Sequence, residues 1–163
     1  MDKDTLFRQE SWMFSYRVGG LLYQDDKLLL QRTIGDTAYT IPGGYGSFGE
    51  FSQETLARNF QEETGAAVKV GKLCFLVELF FPWKKPCHQI NLYYLMELKN
   101  KNALPIMPFK VFDELGQERN NLEFCWVPLK ELDQITVYPT CVHPYLKEIP
   151  EQLLHLQQND LEG

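Results

Sequence analysis

Gly44-Tyr45-Gly46-Ser47-Phe48-Gly49-Glu50-Phe51-Ser52-Gln53-Glu54-Thr55-Leu56-Ala57-Arg58-Asn59-Phe60-Gln61-Glu62-Glu63-Thr64-Gly65-Ala66 is the stretch on which the reading turns. It opens as a glycine-rich loop, directly after the short β-prone run Tyr39-Thr40-Ile41, which Pro42 ends. It then acquires helix signals. Ser52 reads as the N-cap, Phe51 and Leu56 as a hydrophobic staple, and Gly65 as the C-terminal stop, so the spacing predicts a helix over 53–64. On that helix Asn59, Glu62 and Glu63 stand at i, i+3 and i+4 and share a face. Adjacent carboxylates repel, and a hard divalent cation such as Mg²⁺, which takes oxygen ligands and substrate phosphates, reverses the sign. The bland alternative is a solvated acidic face with a Glu54–Arg58 pair.

The loop also spells G-x-G-x-x-G over 44–49. A dinucleotide fold needs an acidic residue about 20 residues on, closing a second strand. Ala67-Val68-Lys69-Val70-Gly71-Lys72 contains none, and the chain opens with a hairpin rather than a βαβ unit. A Walker-type loop fails because no Gly-Lys-Ser/Thr follows.

Taken together, Gly44-x5-Glu50-x7-Arg58-Asn59-Phe60-x-Glu62-Glu63-x-Gly65-Ala66 resembles the Nudix hydrolase signature G-x5-E-x7-R-E-U-x-E-E-x-G-U, where U is bulky and apolar. The fixed positions Gly44, Glu50, Arg58, Glu62, Glu63 and Gly65 all coincide, a match that chance gives about once in ten million starts at roughly one in fifteen per position. The Pro42-Gly43-Gly44 approach and the late segment Trp126-Val127-Pro128-Leu129-Lys130-Glu131-Leu132 are similar to the family as well, which extends the resemblance over about residues 14–135.

The resemblance implies an α/β (α+β) fold, a mixed β-sheet between helices in an α/β/α sandwich. It implies hydrolysis of a diphosphate linkage in a nucleoside diphosphate derivative, with water attacking phosphorus and Mg²⁺ or Mn²⁺ as cofactor. Glu62 and Glu63 would then be metal ligands, with the Gly43 main-chain carbonyl and Glu50 contributing, and Arg58 would order the glutamates. Asn59 departs from the pattern, since the family usually has glutamate there as ligand or base. An amide cannot take a proton from water at neutral pH. Either the base lies elsewhere, with Asp113, Glu114, Glu118 and Glu123 as candidates, or the chain is a nucleotide- or ADP-ribose-binding module of weak or no activity. The family resemblance also admits a homodimer.

Farther from the motif, Tyr39, Arg17, Arg32 and Trp83 are the substrate-side candidates. Trp83 sits in the turn Pro82-Trp83-Lys84-Lys85-Pro86 and is able to stack on a base, with the lysines meeting phosphate. The same residues also suit an ordinary solvated tip. Cys87-His88 suggests a nucleophilic pair, but neighbours on a strand face opposite ways. Strands are expected over 15–23 and 27–32, joined at Asp25-Asp26, then over 68–81, 88–98, 109–112 and 124–127. The segment 113–123 reads as an acidic loop. Residues 144–158 read as a final amphipathic helix carrying Leu146, Ile149, Leu153, Leu154 and Leu156.

Composition agrees with this picture. At 163 residues the chain is of single-domain size, 1–163, with the 44% hydrophobic and 23% charged residues of a globular protein. A formal net charge of −6 argues against a nucleic-acid duplex or an anionic membrane as partner. A small nucleotide-type molecule is the expected partner, and it needs local help from a metal or a basic patch. The four cysteines form no C-x-x-C pair and read as reduced thiols of a cytoplasmic protein. No apolar run resembles a signal peptide or approaches the ~20 residues of a membrane span.

Overall fold

The computed structural model describes residues 3–112 and 118–161, with the side chains of 118–120 excepted. The chain runs β1 (Leu6–Arg8), β2 (Met13–Gln24), β3 (Lys27–Thr33), β4 (Ala38–Thr40), β5 (Gly43–Tyr45), α1 (Ser52–Thr64), β6 (Val68–Pro82) and β7 (Pro86–Leu98). It continues with β8 (Phe109–Phe112), β9 (Glu118–Pro128), a 3₁₀ turn Leu129–Gln134, β10 (Thr136–Tyr138), a second 3₁₀ turn His143–Tyr145 and β11 (Leu154–Asn159).

The strands form a mixed sheet with its backbone in the order β10-β4-β3-β2-β7-β6-β11. β2–β7, β10–β4 and β11–β6 are parallel, and β6–β7 is a long antiparallel hairpin. The β2–β3 hairpin turns on Asp25 and Asp26, whose φ values of 53° and 60° are the left-handed pair that a two-residue turn between twisted strands requires. In β6 the register shifts between Val70 and Leu73, so Gly71 bulges the strand rather than ending it.

Alternation along each strand makes two cores. Val18, Leu22, Leu29, Tyr94 and Phe124 face Leu56 and Phe60 of α1. Leu21, Leu28, Leu30, Phe75, Val77 and Tyr93 face the other way, toward Leu132, Val137, Val142 and Leu146.

Three expectations need correction. The helix begins at Ser52, not after it. Phe51 occupies the cap position with no side-chain cap bond, and at 77% exposure it staples nothing. Ser52 instead bonds Tyr94 through its hydroxyl, which ties α1 to β7. Gly65 does end the helix, at φ 79° with its N–H donating to the Gln61 carbonyl at 2.7 Å.

Residues 118–123, read as loop, belong to β9, while 113–117 lie outside the described residues.

The C-terminal helix over 144–158 does not form. The chain makes one 3₁₀ turn at His143–Tyr145, and Leu154–Asn159 then runs parallel to Phe75–Phe80. Pro150 stands in what would be the helix interior, where it costs about 3 kcal/mol. Leu154 and Leu156 are two apart, so one strand face buries both against the core that Leu146 and Ile149 also pack on. The far side of the sheet is therefore covered by 3₁₀ turns and connecting chain, and α1 is the one α-helix among the described residues. Tyr23 fastens this segment by donating to the Leu146 carbonyl at 2.6 Å. Among the described residues no helix is long and apolar enough to cross a membrane.

The cysteines are free thiols; Cys74, Cys87 and Cys125 are buried and Cys141 is half-buried. Burial pushes all four thiols up, Cys125 to about 11. At pH 8 the native protein is therefore expected to react slowly with a disulfide reagent such as DTNB. Four thiols should titrate promptly in denaturant. Fast reaction of several thiols in the native state would contradict the packing described.

Candidate active site

The motif is assembled from β5, the loop after it and α1. β5 pairs antiparallel with β2, placing Gly43 opposite Gly19 and Gly44 opposite Val18. The fit leaves no room for side chains. A Cβ on Gly43 would lie 2.0 Å from the Val18 carbonyl oxygen, and one on Gly44 would lie 1.9 Å from Nδ2 of Asn59. Gly44 thus leaves room for the Asn59 side chain to come close against β5.

Arg58 is the electrostatic centre. Its Nε reaches both Glu50 oxygens at 3.2 and 2.9 Å, one terminal nitrogen reaches Glu50 Oε1 at 2.9 Å, and the other reaches both Glu62 oxygens at 3.1 Å. Thr55 Oγ1 also donates to Glu50 Oε1 at 3.0 Å. The forked guanidinium suits this double carboxylate grip, which an ammonium would not reproduce. Its hydrogen bonds hold the Glu50 carboxyl below the usual range, and the two glutamates hold the Arg58 guanidinium above its own.

The sign of the resulting pH dependence follows. A depressed folded-state value gives stability that is present above the ordinary carboxylate range and lost as pH falls through the depressed one. Arg58→Ala is expected to lower Tm at pH 7 by about 2–4 °C, with the gap from wild type closing toward pH 3. A gap that persists unchanged at pH 3 would mean that the grip on Glu50 is not its source.

Glu63 lies on the same helix and is buried, at 6% exposure. Glu62 stands on the exposed side, one residue away. Among the described residues no three His, Cys, Asp or Glu side chains are disposed to hold a metal ion by themselves. The donors are nonetheless of the right kind. Mg²⁺ keeps several waters and takes phosphate oxygens, so one or two carboxylates suffice. A carboxylate offers about four lone-pair directions, and Arg58 uses two on Glu62. Glu50 accepts four close contacts and has little left to offer, which makes it a mooring for Arg58 rather than an open donor.

A cavity of about 650 Å³ opens beside the motif, on the face of the sheet away from α1. Tyr45, the residue after Gly44, lines it, so β5 joins motif and cavity. Of the substrate-side candidates, Arg17 and Trp83 line this cavity. The Arg17 guanidinium lies 5.0 Å from the Tyr45 ring centre, and the Lys84 ammonium lies 4.9 Å from the Trp83 ring centre.

Tyr39 and Arg32 are not among its lining residues. Arg32 stacks over Tyr39 at 5.2 Å and pairs with Glu123 at 3.2 Å. Glu123, a candidate base, is thus taken up in an ion pair with Arg32. Glu114 lies outside the described residues, and Glu118 is placed only through its backbone in β9.

The sequence reading missed the cavity floor. Gln89 Nε2 donates to Ser15 Oγ at 2.8 Å, and Asn91 Nδ2 donates to Gln89 Oε1 at 2.9 Å, with all three side chains buried. The signal was available in β7: Gln89 and Asn91 sit two apart at positions where the alternation of Cys87, Tyr93 and Leu95 calls for buried apolar residues.

Comparison with known proteins identifies the family and the fold. The NUDIX domain model covers residues 13–148, well over half the chain. The chain belongs to the Nudix hydrolase family. Its sequence matches no curated protein.

Similar solved structures include an ADP-ribose pyrophosphatase from Streptococcus suis 89-1591 (TM-score 0.55, 15% identity, 88% of this chain and 98% of that one). A mutator MutT protein from Bacillus halodurans gives TM-score 0.63 at 15% identity, covering 91% and 92%. A UDP-X diphosphatase gives TM-score 0.56 at 17% identity, covering 87% and 66%. At these identities the likeness concerns the fold.

Proposed function

We propose that the protein is a divalent-metal-dependent hydrolase of a diphosphate linkage in a nucleoside diphosphate derivative. The observation that carries this reading is the intact set Glu50, Arg58, Glu62 and Glu63 on α1 and its leading loop, with Arg58 orienting two of the carboxylates. Glu62 and Glu63 would hold Mg²⁺ or Mn²⁺, the Gly43 carbonyl is a further candidate donor, and Glu50 acts through Arg58. When bound, the metal neutralises charge on the phosphates and lowers the pKa of a ligated water. Arg58 holds Glu62 through both carboxylate oxygens, and Glu63, on the same helix, is fixed by burial. The cavity beside Tyr45 receives the organic part of the substrate.

Asn59 supports a second reading, a binding module with little turnover, because its amide is no base. Loss of a general base costs ~10²–10⁴-fold, which leaves measurable hydrolysis if metal and positioning remain. Calorimetric titration with Mn²⁺, with and without a methylene-bridged nucleoside diphosphate, tests the metal part. Binding strengthened by the nucleotide is the expected result. Absence of metal binding in both arms would remove the hydrolase reading.

A further inference from the structure

β2 carries two short partners end to end along one edge, because β7 occupies residues 13–22 of the other. β1 pairs with residues 13–15 and β5 with residues 17–19. Tyr16 lies between them, and Thr5 fills the join. The Tyr16 N–H donates to the Thr5 carbonyl at 3.0 Å, the Gly46 N–H to the Tyr16 carbonyl at 2.8 Å, and the Thr5 N–H to the Gly46 carbonyl at 3.0 Å. Three backbones thus close a ring of hydrogen bonds. The Thr5 hydroxyl braces that ring, sharing its one proton between the Tyr16 and Gly46 carbonyls at 2.9 and 3.1 Å. Beyond it the Phe48 N–H donates to the Lys3 carbonyl at 2.9 Å, Asp4 bridges Ser47, and the Phe7 ring meets Phe48 edge-on at 6.0 Å.

The first residues of the described chain therefore grip Gly46, Ser47 and Phe48, the turn that leads into Glu50. Glu50 in turn holds Arg58, and Arg58 holds Glu62. Within 3–8 Thr5 is the one buried residue, and the others are half-buried or exposed. Little apolar area fastens the segment, so the hydrogen bonds at Thr5 dominate its attachment. It also precedes 13–148, the stretch that the family model covers.

Resting on the hydrolase reading, we propose that residues 3–8 are a positioning strap for the hydrolytic motif, with Thr5 as its pin. The strap holds the 46–48 turn in the course that delivers Glu50 to Arg58. Without the pin the turn gains freedom, Glu50 loosens its grip on Arg58, and Arg58 no longer fixes Glu62 for a metal. Thr5 acts through Glu50 rather than on the reacting atoms.

The test is hydrogen exchange followed by NMR on the metal-free protein, so it is independent of whether the chain hydrolyses anything. Thr5→Val keeps the shape and removes the hydroxyl, whereas Thr5→Ser keeps the hydroxyl. In Thr5→Val the Gly46 and Phe48 N–H groups should exchange about tenfold faster, with a core amide such as that of Phe75 unchanged. The Arg58 Nε–H, which lies against both Glu50 oxygens, should quicken by a similar factor. Thr5→Ser should restore all of these. Mn²⁺ affinity should fall about tenfold in Thr5→Val and recover in Thr5→Ser, the effect expected when a group that orients a metal ligand is lost. Unchanged exchange at Gly46 and Phe48, or a rise that Phe75 shares equally, would overturn the strap. Faster exchange in the turn with an unchanged Arg58 Nε–H would make Thr5 a purely structural pin and overturn its link to the motif. Wild-type protein that binds no Mn²⁺ would remove the hydrolase reading, while the exchange results still decide the strap.

Discussion

Glu63→Gln is expected to lower turnover by at least ~10³-fold while leaving the fold and its melting temperature nearly unchanged. The substitution is isosteric, and the side chain is buried on α1, about one turn beyond Phe60 of the Leu56–Phe60 packing stripe. What changes is the charge. A carboxylate offers a hard anionic ligand, and an amide offers only a dipole. Metal and general-base contributions are each worth several kcal/mol of transition-state stabilisation, and every 1.36 kcal/mol is tenfold. Steady-state kinetics alongside thermal melting separate the chemical effect from an unfolding artefact. A variant that melts normally and keeps a tenth or more of its turnover would show that Glu63 lies outside the chemistry.

Gly43→Ala should be the most damaging small substitution in the loop. The added Cβ would stand 2.0 Å from the Val18 carbonyl oxygen and 2.9 Å from the Gly19 Cα, both of them main-chain atoms of β2. Backbone cannot swing aside as a side chain can, so β5 must leave β2 and take the front of the motif with it. The expected loss is about 3 kcal/mol, read as a fall in Tm of roughly 10 °C for a domain of this size. Gly44→Ala is the informative contrast. Its obstacle is the end of the Asn59 side chain, so removing that amide as well, in Gly44→Ala/Asn59→Ala, should recover much of the loss. Equal melting temperatures for Gly43→Ala and wild type would mean that β5 is not held against β2 as described.

The parts of this molecule that could be read from sequence are those decided locally. The motif declares itself because its glycines and charged residues stand at fixed separations within one loop and one helix, and Arg58 meets Glu62 by helix geometry alone. The Asp25-Asp26 turn and the β6–β7 hairpin are local in the same sense.

The C-terminal segment is different. Leu146, Ile149 and Leu153 satisfy a helical spacing and Leu154 and Leu156 a strand spacing, and the outcome is decided by pairing with β6 some 79 residues earlier. Long-range pairing likewise decided the cavity floor, where Ser15 and Gln89 are 74 residues apart in sequence and meet because β2 and β7 are parallel neighbours. The pairing of Arg32 with Glu123 is long-range too, since it depends on β3 and β9 lying side by side in the sheet. The closeness of Asn59 to Gly44 is also beyond a local reading, since it depends on how α1 packs against β5.

The most direct measurement is hydrolysis across nucleoside triphosphates, dinucleoside polyphosphates, ADP-ribose, nucleotide sugars and dinucleotide cofactors, with Mg²⁺ or Mn²⁺ and again in EDTA. The account predicts cleavage at a diphosphate linkage of at least one class, dependent on metal and lost in Glu63→Gln. No metal-dependent cleavage of any of them, in a protein that still binds one of the same compounds, would contradict it and leave Asn59 as the mark of a binding module.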